Sequence, residues 1–427
     1  MYRSNMVDRI VIRNTSILNV NKLEFTKNQT LVIENKKISW VGNTGDYQQK
    51  EADNIINGEG KFAIPGMMDL HVHLDMGHSW VLEPHKTLFR HRDTYRAFDA
   101  LKNAQQYLRY GFTTLRGCGS STDLASLQAF FDDAIVPGPR LRLATKTITQ
   151  PGNQQLYGPQ LYVDGTKDEF VKPGIDGVIA AVRDRKANGA SHIKTTTTGG
   201  VLHGQDSKVE LSLWRPEELE AMVSEAERLG MYVCAHAHTP VGIMAAVKAG
   251  VRSIEHSTVL TDEIIDEMLK RGTFIVATQS AGTYILDAPE SAKKGFPQEV
   301  IKKWETVSSQ MIQSHRKAFE KGVPIACGTD APVAADHCHT PKELRLLVEH
   351  IGMTPLQAIQ AATLTAARVI RMEDELGSLE VGKYADVVIL DKDPTNDIAI
   401  FEDTESYCHV IKDGKIVSEK GRLIHNY

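Results

Sequence analysis

The sequence predicts an α/β fold: a (β/α)8 barrel of the TIM type carrying a small β-sandwich built from both ends of the chain. Three observations predict it. Between residues 63 and 374, short apolar runs of strand length alternate with amphipathic runs of helix length, and regular β-then-α alternation implies a parallel sheet. The number of such units, over a span of roughly 300 residues, favours a closed barrel. A doubly wound sheet is disfavoured because no Gly-rich phosphate turn follows the first strand. Finally, residues 1–62 and 375–427 share a different style, with short strands and turns and no helices between them. The 427 residues suit one large domain plus a smaller unit.

The elements follow in order. "RIVIRNTSILNV", "QTLVIENKKISWVG" and "NIINGEGKFAIPG" read as strands of the terminal unit, with apolar residues alternating against Asn, Gly and Lys. "DTYRAFDALKNAQQYLRYG" is a helix ending at Gly111, followed by the strand "FTTLRGCG". "GIDGVIAAVRDRKANGA" is a helix before the strand "SHIKTTTTGG". "RPEELEAMVSEAERLG" carries Pro in its first turn and precedes "MYVCAHAHT". "PVGIMAAVKAG" precedes "VRSIEHST". "TDEIIDEMLKRG", capped by Thr261, precedes a strand over "TFIVATQSAG". "QMIQSHRKAFEKG" leads into "VPIACGTDAP". "YADVVILDKDP" and "SYCHVIKDGKIV" return to the terminal style, with "KDGK" as a hairpin signal.

Composition excludes several classes. Apolar residues make up 41% and charged residues 24%, as in soluble globular proteins. Net charge is −5 and no basic stripe is present, so no nucleic-acid partner is implied. No apolar run reaches the ~20 residues of a membrane helix, and "MYRSNMVDRIVIRN" lacks the apolar segment of a signal peptide. The five cysteines (Cys118, Cys234, Cys327, Cys338, Cys408) are scattered, odd in number and without zinc-finger spacing. A cytoplasmic protein acting on a small molecule is the expectation.

In such a barrel the active groups sit where strands end at their C-terminal side. The unusual polar residues fall there: His71 and His73, Lys194, His236 and His238, His256, and Asp330. Side chains two apart on a strand share a face, so His71 and His73 can grip one ion. Imidazoles with a carboxylate suit zinc or a similar divalent cation, and they also accept manganese, cobalt or iron. Lys194 joins such a set if carbon dioxide converts its amine to a carbamate, an anion able to bridge two ions.

"PGMMDLHVHL", Lys194, "HAH", "EHS", "GTDAP" and "ATLTAARVIRMEDELGSLEVGKYADVVILDKDP" together resemble the amidohydrolase superfamily over nearly the whole chain. The order His-x-His, Lys, His, His, Asp resembles its binuclear branch with a carboxylated lysine, and within it the prolidase-like dipeptidases and imidazolonepropionase-related proteins. The resemblance implies two divalent metal ions held by His71, His73, Lys194, His236, His256 and Asp330. It implies His238 as a substrate or neighbouring group, and a homo-oligomer. A histidine-bearing loop common in the dipeptidase group is absent from "TKTITQPGNQQLYGPQ", and His203 stands in "GGVLHGQDS" where a smaller residue is expected. Asn153, Gln154, Tyr157 and His203 are therefore candidate substrate contacts, or ordinary polar loop residues.

The expected chemistry is attack on an amide carbonyl by a water bridging two ions about 3.5–4 Å apart. Asp330 takes the proton and delivers it to the leaving nitrogen. The resemblance points to a dipeptide or N-acyl amino acid as substrate. Arg116 either meets its carboxylate or serves as a salt-bridge partner in the core. The alternatives are hydrolysis of a cyclic amide or carbamate-like C–N bond and, from another class, a scaffold protein without activity.

Overall fold

The computed structural model describes residues 9–51, 53–76, 93–120, 124–150, 174–200, 212–287, 293, 298–332, 337 and 340–424. The chain opens with β1 (Arg9–Asn19), β2 (Glu24–Glu34), β3 (Lys37–Asn43), β4 (Asn54–Asn57) and β5 (Phe62–Pro65). The central alternation runs β6 (Met67–Val72), α1 (Asp93–Arg109), β7 (Phe112–Gly117), α2 (Leu124–Asp132), β8 (Arg140–Leu143), α3 (Ile175–Ala187) and β9 (Ile193–Thr196). It continues through α4 (Pro216–Arg228), β10 (Val233–Ala237), α5 (Pro240–Ala249), β11 (Ser253–His256), α6 (Asp262–Arg271) and β12 (Phe274–Val276). Then come α7 (Gln279–Asp287), α8 (Gln298–Glu320), β13 (Ile325–Ala326), α9 (Lys342–Leu346), α10 (Pro355–Ala361) and α11 (Leu364–Val369). The C-terminal strands are β14 (Val387–Leu390), β15 (Tyr407–Lys412), β16 (Lys415–Glu419) and β17 (Arg422–Leu423).

The fold is α/β with parallel central sheets. Strands β6-β7-β8 form one sheet and β9 to β13 another, each in sequence order and parallel throughout. Every residue of β6 and β7 is buried, as strands covered on both faces require. The edges of the two sheets meet. Ile148 bridges Thr195 in the parallel sense, and Val72 bridges Ala331 likewise. Leu70 N–H donates to the Cys327 carbonyl at 3.1 Å and Asp330 N–H to the His71 carbonyl at 2.8 Å. The first and last central strands therefore lie side by side.

Helix α6 shows how local sequence forms this layer. The Thr261 side chain caps it by accepting from Ile264 N–H, acidic residues fill the first turn and basic ones the last, and Gly272 ends it in the left-handed conformation. Its buried residues are Ile264, Ile265 and Met268, each burial stabilising by roughly 1.5–3 kcal/mol. An aspartate at Ile265 would place a charge in that seam and break it.

The two ends of the chain form one mixed sheet of nine strands, ordered β17-β16-β15-β14-β5-β1-β2-β3 with β4 beside β1. The join is the antiparallel pair β5 and β14, where Ala63 faces Ile389. Its own apolar core includes Ile10, Ile12, Leu31, Ile33, Val387 and Ile389. At the hairpin "KDGK", Asp413 and Gly414 both take positive φ (48° and 75°), the geometry that matches strand twist.

Two local expectations differ, and two elements were not expected. The strand expected over "TFIVATQSAG" stops at Val276; Thr278 turns to φ 47° and α7 begins at Gln279. The cause is distant in sequence: Glu343 accepts from Gln279 N–H at 2.8 Å and Ser280 N–H at 2.7 Å, satisfying the helix start. The helix expected from Gln310 begins already at Gln298. Strand β8 and helix α2 carried no strong pattern; "RLRL" alternates half-buried arginine with buried leucine. Among the described residues no helix is long and apolar enough to cross a membrane.

Candidate metal-dependent active site

The side chains singled out at the strand ends converge. His71 Nε2 lies 3.4 Å and His73 Nε2 3.2 Å from the same oxygen, Oδ1 of Asp330. Lys194 Nζ is 3.3 Å from His71 Nε2. The rings then continue inward as a cluster. His71 and His256 have centroids 5.1 Å apart, and His236 lies 4.5 Å from both His256 and His238. His238 stacks on His256 at 5.1 Å. His71, Lys194, His238, His256 and Asp330 are all buried.

The imidazoles share one mode of support. In each of four, Nδ1 bonds to the surrounding scaffold. His71 Nδ1 meets Glu255 Oε2 at 2.9 Å, and His73 Nδ1 donates to the Gly119 carbonyl at 2.9 Å. His238 Nδ1 meets Thr258 Oγ1 at 2.7 Å, and His256 Nδ1 meets Thr278 Oγ1 at 2.8 Å. Fixing one ring nitrogen this way sets the tautomer and orients the other as a ligand. For His71 and His73 that other nitrogen, Nε2, is directed at Asp330. Atoms of His71, His73 and Asp330 lie within 4.8 Å of one another, a spacing that suits a shared cation.

Backbone strain concentrates at the same strand ends. Thr145, His256, Ser257, Thr278 and Asp330 all take positive φ, between 46° and 72°. Such conformations cost of order 1–3 kcal/mol each and persist only where surrounding structure enforces them. At β11 the turn at His256 lets it and the preceding Glu255 both reach the cluster around His71, which strict alternation would forbid.

Electrostatics favour the ligand form of His256 and Asp330. Burial pushes His256 well below the ordinary imidazole value, and repulsion from His236, His71, His238 and Lys194 pushes it further, which favours the neutral ring. Burial opposes ionisation of Asp330, but His71, His73 and Lys194 outweigh it and hold the carboxyl below its usual range. Burial likewise opposes charge on His73, and the Asp330 carboxylate overrides it and raises the imidazole.

Arg116 takes the core role of its two expected ones. It is fully buried, with Nη2 2.7 Å from both oxygens of Glu255, Nη1 3.0 Å from Ser253 Oγ and Nε donating to the Leu70 carbonyl at 2.5 Å. Its donors are committed, so it is corrected here from a substrate contact to the partner that charges Glu255. Arg116 and His71 hold that carboxyl below its ordinary value despite its burial. Asn153, Gln154, Tyr157 and His203 lie outside the described residues.

Two supporting residues escaped the sequence reading. Glu255 orients His71. Asp69 accepts from His71 N–H at 3.0 Å, Thr329 N–H at 3.1 Å and Thr329 Oγ1 at 2.7 Å, tying the first strand to the segment that carries Asp330. The only signal was acidity inside otherwise buried strands ("MMDLHV", "SIEH"), since buried carboxylates require partners.

The model of the amidohydrolase family matches residues 62–417. Ochratoxinase of Aspergillus niger is 30% identical over 92% of this chain and 84% of its own length. A solved Xaa-Pro dipeptidase with methionine bound in its active site is 34% identical, with a TM-score of 0.87, covering 96% of this chain and 100% of that one. A solved prolidase complexed with N-methylphosphonate-L-proline is 27% identical, with a TM-score of 0.86, covering 96% of this chain and 100% of that one.

Proposed function

Since the chain belongs to the amidohydrolase family, we propose that it cleaves the amide C–N bond of a dipeptide or N-acyl amino acid at a centre of two divalent ions. The observation that carries this reading is the meeting of His71 and His73 Nε2 at one Asp330 oxygen, with Lys194 and the remaining histidine rings packed against them. Relatives whose names denote ochratoxinase and Xaa-Pro dipeptidase support amide substrates with a free C-terminal residue.

His71, His73, His236, His256, Asp330 and Lys194 as its carbamate would hold the ions, zinc being the first candidate by donor type. The donor set fits: His71 and His256 are buried, the scaffold orients His71, His73 and His256, and His256 is held neutral. Bound ions there supply Lewis-acid polarisation of a carbonyl and a lowered pKa for water. Asp330, kept ionised by its neighbours, accepts the proton of the attacking water and returns it to the leaving nitrogen. Glu255 and Gly119 keep His71 and His73 in register during the reaction, and His238 sits against the cluster as a substrate-side group.

The eight central strands are proposed to close as a (β/α)8 barrel within residues 63–374, and 1–62 with 375–427 to form the β-sandwich domain, whose single sheet also takes in Ala63–Pro65 of β5. The backbone bonds from Leu70 to Cys327 and from Asp330 to His71 support closure. A homo-oligomer is proposed on the resemblance alone, and a cytoplasmic location on composition. A second reading, opening of a cyclic amide, is favoured by imidazolonepropionase relatives from Geobacillus kaustophilus and Treponema denticola, 24% and 25% identical.

The test is metal-loaded protein on a panel of dipeptides, N-acyl amino acids and cyclic amides, with products identified by mass. Release of a C-terminal residue, at about two ions per chain, is expected. Turnover of cyclic amides alone selects the second reading. Metal-free, inactive protein selects the scaffold.

A further inference from the structure

Behind the catalytic cluster lies a second group of donors of different chemistry. Cys118 follows β7, His192 precedes β9 and Cys234 lies on β10. One ligand atom from each lies within 4.8 Å of the other two. The three side chains are at most 1% exposed. Neither cysteine is in a disulfide, and no step of amide hydrolysis uses them.

The imidazole is held ready. The His192 ring stacks on Tyr232 with centroids 5.3 Å apart and planes within 12°. Its Nδ1 meets Ser191 Oγ at 3.1 Å. Its Nε2 is buried and, among the described residues, meets no nitrogen or oxygen partner, only the Cys118 thiol. A polar atom left so is destabilising, and its neighbours in the cluster are two thiols, which are weak hydrogen-bonding partners. Two sulfurs and an orphaned imidazole nitrogen make a poor hydrogen-bonded network but a good set of soft ligands.

We propose that Cys118, Cys234 and His192 form a separate site, with two sulfur donors and one nitrogen donor, for a thiophilic divalent d10 ion of the zinc group. Binding breaks two S–H bonds, forms two metal–sulfur bonds and one metal–nitrogen bond, and releases two protons to solvent. A dication replaces two protons, so the net charge of the buried group is unchanged. That balance matters in an interior that already contains the Arg116–Glu255 pair, because an uncompensated charge there would be costly. Three protein donors match open zinc centres built from two cysteines and one histidine, which complete their shell with a fourth, non-protein ligand.

The site connects to the catalytic cluster without sharing its donor chemistry. Cys118 Sγ also lies within 4.8 Å of ligand atoms of His71 and Glu255. The two donor sets differ in kind, sulfur and nitrogen here against nitrogen and oxygen at His71, His73 and Asp330. The assignment does not depend on amide hydrolysis being the reaction.

The test uses the full-length chain, stripped with a chelator under reducing conditions. Titration with cadmium ion is expected to raise ultraviolet thiolate-to-cadmium absorption that saturates. Zinc-loaded protein is expected to show a sulfur shell at about 2.3 Å by X-ray absorption, beside the nitrogen and oxygen shell at about 2.0–2.2 Å. Cys118→Ser and Cys234→Ser each remove the absorption band; Cys327→Ser, Cys408→Ser and Asp330→Asn keep it. A wild-type chain with excess metal and only nitrogen and oxygen scatterers overturns the proposal, whether or not the serine variants fold. So does a band that persists in both Cys118→Ser and Cys234→Ser.

Discussion

Arg116 and Glu255 form a closed ion pair behind His71: Nη2 lies 2.7 Å from both carboxylate oxygens, and Oε2 lies 2.9 Å from His71 Nδ1. Both residues are fully buried. Removing one partner leaves a buried charge uncompensated, which costs about 3–5 kcal/mol, whereas replacing both by apolar groups costs far less. Arg116→Met is therefore expected to lower unfolding stability by that amount in urea titrations. Arg116→Met/Glu255→Met recovers most of the loss. Equal stability of the single and double variants would contradict the pairing.

Asp330 is expected to be needed for proton transfer more than for metal retention. Asp330→Asn keeps metal content close to wild type and lowers kcat about 10²–10⁴-fold, the usual worth of a general base. Elemental analysis beside steady-state kinetics checks both halves, and unchanged kcat would reassign the residue.

Lys194 sits 3.3 Å from His71 Nε2, where a cationic amine would repel an ion and a carbamate would bind it. Lys194→Ala is expected to lose metal and activity together. Short carboxylic acids added to the buffer restore part of both by standing in for the missing oxygens. Full metal content without any acid would exclude the carbamate.

Gly328 precedes the Thr329–Asp330 turn where the chain passes His71. A Cβ there would lie 2.4 Å from Val276 Cγ1 and 3.1 Å from both His71 Cβ and N. Gly328→Ala is expected to cost about 1–3 kcal/mol through overpacking. It should also weaken metal binding by displacing His71, which calorimetric titration would measure. A variant with wild-type stability and affinity would show that this contact yields freely.

Glu225 on α4 accepts from Arg183 at 2.6 Å and from Arg228 at 2.7 and 2.6 Å. The Arg228 bonds, then the Arg183 bond, hold its carboxyl down from 4.5 to about 2. A carboxyl depressed in the folded state stabilises above its unfolded value and loses that contribution as pH falls through the folded one. The stability gap between wild type and Glu225→Gln is expected to be constant above 4.5 and to shrink toward zero near about 2. A gap that widens on acidification would reverse the sign.

The sequence by itself determined what depends on near neighbours. The two-residue spacing of His71 and His73 puts them on one face, and the capped, charge-graded pattern of 261–272 makes a helix wherever it packs. Apolar runs alternating with helical ones required a parallel α/β core, and the change of style at both ends matches the sheet that joins β5 to β14. Tertiary structure alone decided the rest, because those partners meet through strand neighbourhood and chain curvature. Glu343 starts α7 from across the chain, and Arg116 charges Glu255 rather than facing a substrate. Cys118, His192 and Cys234 read as scattered residues until β7, β9 and β10 bring them together. Local periodicity is written in consecutive side chains, but a contact between distant strands depends on register and on backbone turns such as His256 and Asp330 at positive φ, which no short stretch of residues encodes.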